Sequence, residues 1–309
     1  MADTTTATAR EDARNFDDFW CPSEDGLELY ARDYGPRASR LAPVVCIPGL
    51  TRTTRDFHAL ATHLASRPRK RRRVLALDLR GRGRSDRDRR AANYSPKREM
   101  LDVLDVMTAA GIERAVVIGT SRGGLVAMAI GAARPAALAG VVLNDIGPRI
   151  EAQGILRIIG QLSRMPRPRS WEEATALMKR LFAENFTDLA DEDWETFARQ
   201  VFRDDNGRPR PDFDPRIVRS LDRNAVTTEG LPELWPLFGA LSHVPVLAIR
   251  GANSDILSPA TLEEMARRHP DLMALTVAHR GHAPFLTEEP AIAAIDELMN
   301  RVDHRAATG

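Results

Sequence analysis

Cysteine is scarce in this chain: Cys21 and Cys46 are the only two. They form neither a CxxC pair nor part of a Cys/His cluster, which argues against a disulfide scaffold and a thiolate metal site. Net charge is equally scarce. Lys plus Arg number 44 and Asp plus Glu 43, a formal +1. That balance argues against a globally basic nucleic-acid binder and an acidic solvating tail. No long apolar run exists either. The stretch 115–133 is interrupted by Thr120, Ser121, Arg122 and several glycines, so it is not a plain membrane span. The first residues lack a basic segment followed by an apolar one, so secretion has no visible signal and a cytoplasmic location is expected. HExxH and repeated acidic metal signatures are missing, and neither a metal nor a cofactor is expected. What is present is an ordinary globular mix, 43% hydrophobic and 28% charged over 309 residues. That length suits one large α/β domain with a module of roughly 60–90 residues added to it.

Short apolar runs recur along the chain at 44–47, 74–77, 115–118, 140–143, 244–249 and 272–277. Runs without polar alternation are buried on both faces, as in a mostly parallel sheet covered by helices. Segments 57–66 and 97–110 have apolar positions three to four apart and suit the crossovers. Residues 27–32 alternate after Asp25-Gly26, which predicts an early antiparallel hairpin. The rhythm breaks over 149–238, which reads as an insertion. Helices are predicted there at 154–162, 171–181, 192–202 and 215–221, with a Pro/Arg-rich link at 165–169 and a loop at 206–215. Trp171, Trp194, Trp235, Phe182, Phe186, Phe197 and Phe202 make this region aromatic. Such rings either pack the module or line a pocket between it and the sheet.

Gly119-Thr120-Ser121-Arg122-Gly123 is a G-x-S-x-G motif set between a predicted strand and a predicted helix, the context that the motif requires. Its glycines leave room for a sharp turn that lifts the Ser121 hydroxyl clear of the sheet. A serine hydroxyl needs a base. Of seven histidines, His282 in Gly281-His282-Ala283-Pro284 follows the last apolar run on a loop that reaches the sheet edge, and His279 is the nearest competitor. The imidazole needs an orienting carboxylate. Asp255 follows run 244–249 and gives the chain order Ser, Asp, His; Asp145, after run 140–143, is the alternative. Two N–H donors must face a developing oxyanion. Those of Arg122 and Leu50 are the candidates, the second in Pro48-Gly49-Leu50-Thr51.

Arg122, beside the nucleophile, must be solvated or paired, and Asp145 is its expected partner. The other functional reading is that Arg52 or Arg122 meets an anionic substrate group. Arg52 and Asp145 are the candidates for substrate contact. Asp78-Leu79-Arg80-Gly81-Arg82-Gly83-Arg84-Ser85-Asp86 lacks the Lys-Ser/Thr step of a P-loop and reads as a structural turn locked by Asp/Arg pairs. Six of the seven residues in 67–73 are basic, which reads as a solvated surface loop before a strand.

On Pro48-Gly49-Leu50, the 78–86 turn, Gly119-Thr120-Ser121-Arg122-Gly123-Gly124, Asp255 and Gly281-His282, the chain from about Phe19 to Met299 resembles the α/β-hydrolase-fold serine hydrolases of the lid-bearing, lipase/esterase-like branch. The resemblance implies a three-layer α/β fold with a mostly parallel eight-stranded sheet. It divides the chain into core residues 1–148, a helical cap (lid) at 149–238 and core residues 239–309. It places the Ser/Asp/His roles on Ser121, Asp255 and His282. Many relatives begin the oxyanion loop with His-Gly, where Pro48 stands here. Ser121 departs from the Asp nucleophile of the halide- and epoxide-cleaving relatives and from the Cys of the dienelactone type. The expected reaction is hydrolysis of carboxylic esters with an apolar acyl or alcohol part, short aliphatic polyesters included. Alternatives are C–C hydrolysis of a vinylogous diketone or enol-lactone opening on the same residues, and a non-catalytic small-molecule receptor. The expected partner is a small-molecule ester; neither nucleic acid nor membrane insertion is implied, and a homodimer is left open.

Overall fold

Burial on both faces is what the apolar runs demand, and the computed structural model, which describes residues 15–219 and 231–308, supplies it. The chain begins β1 (Phe16–Pro22), β2 (Glu28–Tyr34), β3 (Val44–Ile47), α1 (His58–Ser66), β4 (Val74–Asp78), α2 (Pro96–Ala109), β5 (Ala115–Thr120), α3 (Arg122–Ala133) and β6 (Leu138–Asn144). Next come α4 (Ala152–Ser163), α5 (Trp171–Phe182), α6 (Asp191–Val201), β7 (Phe202–Asp205), β8 (Arg208–Pro211), α7 (Arg216–Arg219) and α8 (Trp235–Gly239). The chain then returns through β9 (Val246–Gly251), α9 (Pro259–Arg268), β10 (Leu272–Val277) and α10 (Glu289–Thr308).

Eight strands form one sheet in the order β1-β2-β4-β3-β5-β6-β9-β10. The pairings from β4 to β10 are parallel, and β1 and β2 pair antiparallel at the edge. This is the α/β-hydrolase fold. Leu60 and Leu64 of α1 and Ile295, Leu298 and Met299 of α10 cover one face. Val103 and Val106 of α2, Val126 and Ile130 of α3 and Met265 of α9 cover the other. Ser95 and Ser258 start α2 and α9 by accepting the N–H of Arg98 and Thr261, with proline in the first turn of each helix. Among the described residues no helix is long and apolar enough to cross a membrane.

Three local readings change. Residues 206–215 are not simply a loop: β7 and β8 pair antiparallel around Asn206-Gly207, both at positive φ (54° and 80°). Asn-Gly is the hairpin dipeptide, so the signal was present in the sequence. The basic run is not a solvated loop throughout. Arg72 is fully buried against Asp303 of α10, and Arg73 is clamped to Asp33 of β2. The helix expected at 215–221 is described only as α7, and positions 220 and 221 lie outside the described residues.

Candidate active site

The 119–123 turn works through what its glycines lack. A Cβ on Gly123 would collide with the backbone carbonyl of Ile47, and one on Gly119 would collide with the backbone of Gly123. The strand end and the helix start therefore press together, and the residue between them is forced out of ordinary geometry. Ser121 sits at φ 51° and ψ −110°, immediately before α3. Its hydroxyl projects from the C-terminal edge of the sheet, where open parallel sheets build their sites.

Ser121 Oγ lies 2.8 Å from Nε2 of His282, on the loop after β10. The other imidazole nitrogen, Nδ1, lies 2.7 Å from Oδ2 of Asp145. Asp145 follows β6 directly, is wholly buried and holds φ 55°. Its carboxylate also accepts from the Gly251 N–H (2.8 Å) and the Ser254 hydroxyl (2.6 Å), so donors from the next strand end fix it in place. The expectation that Asp255 orients the imidazole is corrected. Both Asp255 oxygens are taken by Arg157 of α4, at 2.5 Å and 2.7 Å. Burial pushes the Asp255 carboxyl up, but the hydrogen bonds and charge of Arg157 outweigh burial and hold it below the usual carboxylate range. The competing His279 turns to Thr187 at 2.9 Å and is exposed. Asn144 went unnoticed in the sequence. Its buried amide donates to Thr120 Oγ1 (3.1 Å) and to the Pro284 carbonyl (2.9 Å), tying the end of β5 to the loop that carries His282.

The expected Arg122–Asp145 pair is also corrected. Arg122 Nε donates to Glu99 of α2 at 2.6 Å, and Nη2 donates to the Tyr94 carbonyl at 2.9 Å. Glu99 is fully buried, and its second oxygen meets Arg82 at 2.7 Å. Arg82 Nε donates to the Leu50 carbonyl at 2.7 Å. One glutamate thus links the residue after Ser121 to the 48–51 loop. Burial raises the Glu99 carboxyl, but Arg82 and Arg122 outweigh it and leave the group below its ordinary value. Burial pushes the Arg82 guanidinium down. The 78–86 turn is pinned in the same way: fully buried Arg80 meets Asp25, Asp88 and Asp102. Asp78 accepts the N–H groups of Thr54 and Arg84, and burial pushes its carboxyl up to about 6, as it does that of Asp102 in spite of Arg80.

Above Ser121 lies a cleft of about 160 Å³. Its floor is Gly49, Leu50, Thr120, Ser121 and His282, and its walls include Ile158 and Leu162 of α4 and the rings of Phe182, Phe197 and Phe285. Of the aromatic residues singled out in the sequence, Phe182 and Phe197 reach the cleft, whereas Trp194, Phe186 and Phe202 are buried in the packing among the inserted helices. Trp235 packs against Phe238 and under Arg268. Arg52 lines the cleft but is held by Asp56 through two 2.7 Å hydrogen bonds.

The family model described as the alpha/beta hydrolase family matches residues 44–295. A 3-hydroxybutyrate-oligomer hydrolase of Cupriavidus necator is 29% identical over 280 residues, spanning 88% of this chain and 93% of its own. The solved structure of an alpha/beta hydrolase from Novosphingobium aromaticivorans superposes with a TM-score of 0.85 at 37% identity, covering 93% of this chain and 99% of that one. Lipase LipV of Mycobacterium tuberculosis is 32% identical over 140 residues, 45% of this chain and 50% of its own.

Proposed function

The chain belongs to the alpha/beta hydrolase family, and from that premise we propose that it is a serine hydrolase of carboxylic esters with an apolar acyl or alcohol part, short aliphatic polyesters included. The single observation that supports this reading is the hydrogen-bonded line from Ser121 Oγ through His282 to Asp145, at 2.8 Å and 2.7 Å. His282 takes the Ser121 proton as the oxygen attacks the ester carbonyl. Asp145 holds the imidazole tautomer and stabilises the imidazolium. The N–H groups of Arg122 and Leu50 meet the oxyanion, each worth roughly 3 kcal/mol of barrier. His282 then protonates the leaving alcohol, and a water activated by the same ring releases the acid from Ser121. The apolar walls favour an aliphatic or aromatic ester segment, and the name of the Cupriavidus relative supports oligomers of a short hydroxy acid.

The roof over this chemistry is α4, α5 and α6 of the inserted segment, which act in this reading as a cap. Anion-dependent reactions such as the C–C hydrolysis considered above fit less well, since Arg52 and Arg122 are both paired with carboxylates. The test is a para-nitrophenyl ester chain-length series run beside fluorophosphonate labelling. Hydrolysis and labelling that both vanish in Ser121→Ala are expected. Turnover that persists in that variant would end the serine-esterase reading.

A further inference from the structure

Two arginines reach the cleft, and each arrives with its own carboxylate and its own amide. Arg52 gives Nε and Nη2 to Asp56, and Nη2 also faces Gln200 Oε1 of α6 at 3.4 Å. Arg157 of α4 gives Nε and Nη2 to Asp255, and its Nη1 donates to Gln161 at 2.9 Å. Arg52, Asp56, Gln200, Arg157 and Gln161 all line the cleft. The pairing has a plain electrostatic consequence. A guanidinium held by both carboxylate oxygens is a neutral unit, whose field falls away within a few ångströms, while its outward N–H groups still donate. Among the described residues lining the cleft, His282 aside, every formal charge belongs to one of these two pairs. The uncompensated charge of Arg82–Glu99–Arg122 lies elsewhere, behind the Leu50 carbonyl and outside the residues that line the cleft.

We propose that Asp56 and Asp255 are specificity-determining residues: by neutralising Arg52 and Arg157 they restrict the cleft to uncharged ester segments, which in a hydroxy-acid oligomer are its interior bonds, and disfavour the bond beside its free carboxylate end. The inference rests on the esterase reading above. An anionic chain would have to displace a carboxylate from its guanidinium or lie beside it, and either arrangement costs affinity. A neutral carbonyl needs only a donor, which a paired arginine still offers. The acid released by each turnover is itself an anion, so the same neutrality would weaken its hold on the cleft.

The experiment compares kcat/KM for para-nitrophenyl butyrate with that for the mono-para-nitrophenyl ester of glutaric acid, which ends in a carboxylate. The wild-type enzyme should favour the neutral ester by about tenfold or more. Asp56→Asn and Asp255→Asn each free one guanidinium and should shift the ratio toward the anionic ester by about tenfold. The double variant Arg52→Met, Asp56→Leu restores neutrality and should restore the wild-type preference. Butyrate protection of Ser121 from fluorophosphonate reads the same charge without turnover, and should need a lower concentration in Asp56→Asn. A ratio and a protection constant that stay put in both single variants would overturn this inference alone. Failure of the wild-type enzyme to hydrolyse either ester, with Ser121 unlabelled, would instead remove the reading beneath it.

Discussion

The floor of the cleft and its walls are held by different kinds of force. On the floor, Ser121 and Asp145 sit at positive φ at the ends of adjacent strands, and glycines without room for a Cβ press the turn shut. Those constraints lie in the backbone and the sheet, so Ser121 and Asp145 are fixed by the ends of β5 and β6 themselves. The walls are side-chain work. Helices α4 and α6 stand over the core through Arg157–Asp255 and the Arg52–Asp56–Gln200 group, whose members keep between a fifth and a third of their ion-pair side chains exposed to solvent. Pairs as accessible as these are worth about 1 kcal/mol or less. A rigid floor suits chemistry that depends on fixed distances. Walls joined by a few tunable pairs suit selection among substrates.

That contrast can be broken from either side. In the proposed reaction His282 is the base, so His282→Ala should lower kcat/KM by on the order of 10⁴-fold or more; steady-state ester hydrolysis measures it. Glu99→Gln should be the costliest change to stability. It leaves buried Arg82 and Arg122 without a counter-charge and should lower the unfolding free energy by about 3–5 kcal/mol in urea titration. Its pH signature has a definite sign. Because the Glu99 carboxyl is held below its ordinary value, its contribution is present above that value and lost as pH falls through the lowered one. The wild-type protein should therefore show an acid slope that the Gln variant lacks.

Opening a wall should do much less. Arg157→Met should cost about 1 kcal/mol or less and change kcat/KM by less than tenfold, mainly through KM. A larger fall in kcat would mean that the wall takes part in the chemistry. The smallest effect is expected under the floor, at Asp78, which accepts the N–H groups of Thr54 and Arg84. Its carboxyl is raised from 3.8 to about 6, so its contribution is fullest below 3.8 and is lost as pH rises through about 6. Asp78→Asn should flatten that part of the plot of urea midpoint against pH.

Much of the floor could be read from the sequence because its signals are local. A strand, a G-x-S-x-G turn and a helix are contiguous, and Gly281-His282 follows an apolar run directly. The choice between Asp145 and Asp255 was of another kind. Both follow strands at the same edge of the sheet, and what separates them is Arg157, some hundred positions away in sequence, which occupies one and leaves the other to His282. Glu99 was invisible for the same reason: a single acidic residue in an amphipathic helix gives no sign that buried Arg82 and partly buried Arg122 will meet it. Pairings between distant side chains have no periodicity, so the walls became readable only once the chain was folded.

The most direct test is a side-by-side measurement of kcat on a neutral ester for Asp145→Asn and Asp255→Asn. We expect the first to fall by on the order of 10⁴-fold, as the imidazole loses its tautomer, and the second by less than tenfold. The reverse pattern, with Asp145→Asn active and Asp255→Asn nearly dead, would show that the carboxylate orienting His282 had been misassigned.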